Sequence, residues 1–190
     1  MKTLSEALGA LLAALDRIEV PYEIGGSVAS SSHGIPRTTM DVDLVVDLPP
    51  DKIGQFVDEV GGEFYADAGQ IREAFEAGRA ANLIHLSSVW KFDLFPLRKD
   101  EYSRIEFGRR TFREIQPDNG APIECAISSM EDTILRKLEW FRAGGEISER
   151  HWSDVVGLWN VARSRADLSY LRHWAQRLGI LDLLERLTGS

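Results

Sequence analysis

The stretch Asp41-Val42-Asp43-Leu44-Val45-Val46 decides how the rest of the chain is read. Apolar residues alternate with two acids, the pattern of a strand with one buried face. Val42, Leu44 and Val46 point to one side and can pack on a core. Asp41 and Asp43 point to the other, about 6–7 Å apart along the backbone. Two like charges on one strand face repel each other. A polar face turned to solvent is the plain explanation. A hard divalent cation is the other, since Mg2+ is commonly held by one or two carboxylates together with substrate phosphates.

Upstream, Gly25-Gly26-Ser27 separates a short strand at 21–24 from a short helix running to about His33. Glycine lets backbone amides approach an anion closely, and a helix N-terminus adds positive partial charge. Ser27 can cap the helix or bind phosphate with its hydroxyl. Downstream, Val89-Trp90-Lys91-Phe92-Asp93-Leu94-Phe95 reads as a strand carrying a single acid. An acid among such neighbours needs a partner if it is buried. If this strand lies beside Asp41–Val46, Asp93 faces the same side as the Asp pair. An Asp at a strand end facing water is the alternative.

The remaining segments supply the scaffold. Leu4, Leu8, Leu11, Leu12, Leu15 and Ile18 recur at helical spacing. Pro49-Pro50 opens a helix over about 51–60, followed by a short strand at 63–65 and a helix at 70–77. Residues 82–85 and 89–95 form a hairpin through 86–88. Residues 98–120 read as irregular and rich in arginine, and 122–126 as a last strand. From Ser128 onward the pattern is helical. Ser128 with Glu131 fits a capping box. Met130, Ile134, Leu138 and Phe141 make a stripe that Gly144-Gly145 ends. Ser148 starts a helix with Trp152, Val155, Val156 and Trp159 inward, and two further helices cover 168–178 and 180–187. The expected architecture is α+β: a short mixed sheet with flanking helices over residues 1–127, then a C-terminal helical domain over 128–190.

Charge narrows the partners. The net charge is −8, and all of it lies in residues 1–129 because residues 130–190 are neutral. A basic footprint for nucleic acid is absent. The single cysteine, Cys125, excludes an internal disulfide framework and, with an N-terminus that reads as an amphipathic helix rather than a leader, points to the cytoplasm. No apolar run is long enough for a membrane span. The four histidines show no zinc-ligand spacing. The five tryptophans sit mostly at core spacing, which favours packing over base stacking.

Gly-Gly-Ser, then Asp-x-Asp, then a later strand Asp, in this order, resemble the DNA polymerase beta-like nucleotidyltransferase superfamily. The resemblance covers residues 22–97, and Arg37-Thr38-Thr39 looks like the Arg-x-Thr stretch of small bacterial members. It implies that Gly25, Gly26 and Ser27 hold the triphosphate of an NTP. It implies that Asp41 and Asp43 bind two divalent ions (Mg2+ or Mn2+), and that Asp93 binds one metal and activates the acceptor hydroxyl. Arg37 would support the phosphates or the strand entry. The expected reaction moves an NMP to a hydroxyl of a small molecule, an RNA end or a protein, with release of pyrophosphate. A non-catalytic nucleotide- and metal-binding module, such as a sensor or toxin–antitoxin component, is the alternative.

The helical half is similar to abortive-infection type nucleotidyltransferase toxins. Lys137 matches their first-helix lysine, and Arg150 and Asp154 match the ends of the Arg-x-Lys-Asp motif. Trp152 or Ser153 stands in place of the motif lysine, and Gly157 where a further Asp is expected. Spacing puts Lys137 at the edge of an apolar stripe. It either snorkels to water or points into the gap between the halves, where it could bind phosphate. Asp154 orients Lys137 or Arg150, or is a surface acid. Arg104, Arg109, Arg110 and Arg113 form a basic cluster that fits a polyanionic acceptor or a solvated loop.

Overall fold

The computed structural model describes residues 2–34 and 41–189, so Arg37 lies outside the described residues. Alternation in β2 (Asp41–Val46) has the expected result: Val42, Leu44 and Val46 are buried, and Asp43 and Val45 occupy the opposite face. β1 (Tyr22–Ile24) pairs antiparallel with β2 and sets Glu23 opposite Val45. β5 (Lys91–Pro96) pairs parallel on the other side, with Asp43 beside Asp93 and Val45 beside Phe95. β3 (Phe64–Tyr65), β4 (Ala81–His85), β6 (Thr111–Ile115) and β7 (Ile123–Ile127) complete a mixed sheet in the order β3-β4-β5-β2-β1-β7-β6.

One face of this sheet carries the larger core. α1 (Leu4–Arg17), α3 (Ile53–Val60) and α4 (Ala68–Glu76) bury Leu8, Leu11, Leu15, Phe56 and Ile71 against Leu44, Leu83, Phe92 and Leu94. Each such side chain contributes roughly 1.5–3 kcal/mol on burial. A second apolar cluster unites α5 (Glu101–Gly108), α6 (Met130–Ala143), α7 (Glu149–Ala162), α8 (Leu168–Arg177) and α9 (Leu181–Thr188). Tyr102 of α5 belongs to it, so a segment from the first part of the chain completes the helical cluster. The opposite sheet face, bearing Asp43, Val45, Asp93 and Phe95, looks toward α6.

The structure corrects three sequence readings. Residues 98–120 are not irregular: they contain α5 and β6. Helix α5 turns Ser103 and Glu106 inward, which breaks its apolar stripe, and the outer strand β6 buries only Ile115. Ser129, not Ser128, caps α6, with its hydroxyl accepting the Asp132 N–H at 3.1 Å. Ser128 is still tied to the sheet, since its N–H donates to the Ile24 carbonyl at 3.0 Å. The hairpin strand begins at Lys91 rather than Val89. Val89 has a φ of 55° in the turn and donates its N–H to the His85 carbonyl. Among the described residues no helix is long and apolar enough to cross a membrane.

Candidate active site

The turn after β1 is built around Asp43. Gly25 donates its N–H to the Asp43 carbonyl at 3.0 Å, which extends the β1–β2 pairing into the turn. Helix α2 (Gly26–Ser32) starts at once, with Gly25 at its N-cap and no side-chain cap. Ser27 is therefore inside the first turn and is not the cap. Gly26 has a φ of 56°, and a Cβ there would stand 1.8 Å from Asp43 Oδ2. Backbone conformation and space both require glycine.

Asp43 and Asp93 are direct neighbours in the β2–β5 register, and Asp41 lies one pleat away opposite Lys91. Partial burial, followed by repulsion from Asp93 and Asp41, pushes the Asp43 carboxyl up to about 6, while Lys137 and Lys91 oppose the shift. Asp93 is engaged locally. Its carboxylate accepts from Asn82 Nδ2 across β4 and from Lys91 Nζ at 3.0 Å. With the side chains so arranged, no three His, Cys, Asp or Glu among the described residues form a metal-ligating group. The donor chemistry nevertheless fits Mg2+ or Mn2+: three carboxylates share one face, and burial followed by their repulsion raises the pKa of Asp43.

Lys137 faces this region from α6. Its Nζ lies 3.7 Å from Asp154 of α7, and both side chains are largely covered, so Asp154 partners Lys137 rather than decorating a solvated helix. Arg150 is exposed. The arginine cluster is split: Arg104 and Arg113 are exposed, whereas Arg109 and Arg110 are engaged. Arg109 bonds Asp132 at 3.1 Å and Glu131 at 3.3 Å, and Arg110 stacks on Phe107. Cys125 is buried and unpaired among the described residues, as expected of a core residue.

Gly25, Gly26, Ser27, Asp43, Lys137 and Asp154 line one cleft of about 690 Å3. The same cleft brings in residues that sequence reasoning passed over. Arg136 grips Glu106 with two guanidinium nitrogens and donates to Ser103 Oγ at 2.8 Å, which ties α6 to α5. Glu23 is 1% exposed, and its Oε2 has no hydrogen-bond partner among the described residues. The available sequence signal was an acid between Tyr22 and Ile24 in an otherwise apolar strand. Trp140, 55% exposed, departs from the expectation that tryptophans serve the core.

Glu23 makes stability depend on pH. Burial, then repulsion from Glu106, raises its carboxyl to about 8. Ser128 lowers it, Asp132 raises it and Arg136 lowers it by smaller amounts. The folded chain thus holds this proton more tightly than the unfolded chain. The stabilisation is complete below the unfolded value of 4.5 and is lost as pH rises through about 8. Glu23→Gln is expected to melt roughly 5 °C above the parent at pH 8.5 and level with it at pH 4. Calorimetry at both pH values checks this, and an equal offset at the two would contradict it.

A mixed sheet whose Gly-Gly-Ser turn closes on an Asp-x-Asp strand, followed by helices across the cleft, is a nucleotidyltransferase fold. The crystal structure of an antigenic nucleotidyltransferase-like protein from Paracoccidioides brasiliensis is similar over 94% of this chain and 86% of its own. Its TM-score is 0.59 at 17% identity. The crystal structure of ANT(2")-Ia in complex with adenylyl-2"-tobramycin is similar over 100% of both chains, with a TM-score of 0.51 at 18% identity. No family model matches the sequence. No curated protein matches it either.

Proposed function

We propose that the protein is a metal-dependent nucleotidyltransferase that moves an NMP from an NTP to an acceptor hydroxyl. The observation that carries this is the direct register of Asp43 with Asp93 against the Gly25-Gly26-Ser27 turn, with Lys137 lining the same cleft. Asp41, Asp43 and Asp93 would hold Mg2+ or Mn2+, which supplies positive charge at the reacting phosphate and lowers the cost of the attacking and leaving oxygens. The Gly26 amide and Ser27 hydroxyl would bind the β- and γ-phosphates. Lys137, oriented by Asp154, would neutralise charge that builds on them. Asp93 would accept the proton of the acceptor hydroxyl. The acceptor oxygen bonds the α-phosphorus, the bond from that phosphorus to the bridging oxygen breaks, and pyrophosphate leaves.

A small cationic acceptor is favoured over long RNA. The acidic excess of residues 1–129 repels a polyanion. The similar ANT(2")-Ia structure was solved with an adenylylated aminoglycoside. Incubation with each α-labelled NTP, Mg2+ or Mn2+, and a cell extract tests the reading. Label is expected in the small-molecule fraction. Transfer that survives Asp41→Ala with Asp43→Ala would overturn the mechanism. If no label moves, and NTP raises the melting temperature only with metal, the protein is a nucleotide-binding module instead.

A further inference from the structure

Trp140 is a large apolar side chain left 55% exposed on the wall of the nucleotide cleft. It stands three residues after Lys137 on α6. That is about 4.5 Å along the axis and on the same side of the helix. Its ring meets Phe95 edge to face, with centroids 6.4 Å apart and planes at 65°. Phe95 follows Asp93 by two residues and so shares its face of β5; Phe95 lines the cleft, and Val45 lies beside it in the register. The two elements that carry the phosphate-facing and metal-facing side chains thus also carry an aromatic wall one step further on. Pro96 and Leu97 line the cleft with it.

We propose that Trp140, backed by Phe95, is the stacking platform for the nucleobase of the bound NTP. The inference rests on the nucleotide-binding reading of the cleft. A nucleotide held by its phosphates at Ser27 and Lys137 must put its base elsewhere in the same cleft, and the Trp140 ring lines that cleft one helical turn from Lys137. An indole face offers a base dispersion and π contact regardless of its hydrogen-bonding edge. Phe95 fixes the indole through its edge and leaves Trp140 largely uncovered. The platform therefore selects for a nucleobase over bare phosphate, with purines stacking more strongly than pyrimidines because they offer more ring area.

Two probes separate the base from the phosphates: ATP and inorganic tripolyphosphate, each titrated calorimetrically with Mg2+ into the full chain. Trp140→Ala is expected to weaken ATP binding about tenfold and leave tripolyphosphate binding unchanged. Trp140→Phe is expected to restore most of the ATP affinity. ATP, but not tripolyphosphate, should quench parent fluorescence, and that quench should disappear in Trp140→Phe. If ATP binds and Trp140→Ala binds it as tightly as the parent, the platform is refuted and the nucleotide reading stands. An equal loss for both probes in Trp140→Ala also refutes it, because the residue would then act on the fold or the phosphates. ATP is replaced by whichever of the four NTPs binds the parent; if the parent binds none of the four, the nucleotide reading itself fails, and the platform with it.

Discussion

Asp43→Asn is expected to lower the rate of nucleotidyl transfer by about three orders of magnitude, on the scale typical for removing one preorganised charge at a phosphoryl centre. Of the three aspartates, Asp43 is the one that both the glycine turn and the β2–β5 register depend on. Its carbonyl anchors the turn through Gly25, its carboxylate abuts Gly26, and it stands in register with Asp93. The substitution keeps the shape and removes the charge. The metal-free variant should melt no lower than the parent, because a repelled carboxylate has been replaced by a neutral amide. Single-turnover rates with saturating NTP, read beside melting curves, separate lost chemistry from lost folding. A variant that keeps more than a tenth of the parent rate would exclude Asp43 as a metal ligand in the reaction.

Gly26→Ala carries the second large effect, by a different route. An alanine Cβ would overlap Asp43 Oδ2 and come within 2.8 Å of its Cγ, at a φ of 56° that disfavours any side chain. Asp43 would have to swing away from the turn, or the turn would have to open. Left-handed strain costs on the order of 1–2 kcal/mol, and relocation of the carboxylate removes it from Asp93. A loss of at least about a hundredfold in transfer rate is expected, on the scale of a misplacement of about 1 Å, together with a melting temperature lower by roughly 3–6 °C. Gly25→Ala serves as the comparison. Its Cβ would meet only Ser128 Oγ at 3.9 Å, and its φ of −110° suits alanine. Equal effects of the two substitutions would show that close packing on Asp43 is not what Gly26 provides.

The strand containing Asp41 and Asp43 was legible because period-two alternation is a local property, and so were the Leu-rich α1 and the switch to helices after residue 128. Helix α5 and strand β6 were not. Ser103 and Glu106 face inward because Arg136 on α6 meets them, and β6 needs little apolar character because it pairs on one side at the edge of the sheet. Nor could the sequence show where Arg109 goes: it pairs with Asp132 and Glu131, which arrive from another helix. Ser27 could be read as a helix cap or as a phosphate ligand. In the structure α2 begins at Gly26 with Gly25 as its N-cap, so the serine lies inside the first turn.

Local chemistry along the chain determined that a glycine turn would precede a strand with two acids on one face, and that a third acid would sit on a later strand. Those are statements about covalent order and side-chain periodicity, and they need no partner. Only the tertiary structure decided that β2 and β5 run parallel in the register that sets Asp43 beside Asp93. It also decided that α6 returns over that face with Lys137 and Trp140 on the cleft, and that Glu23 lies buried in the same cleft. Each of these depends on which surfaces bury one another across long stretches of chain, a free-energy balance that no single segment carries.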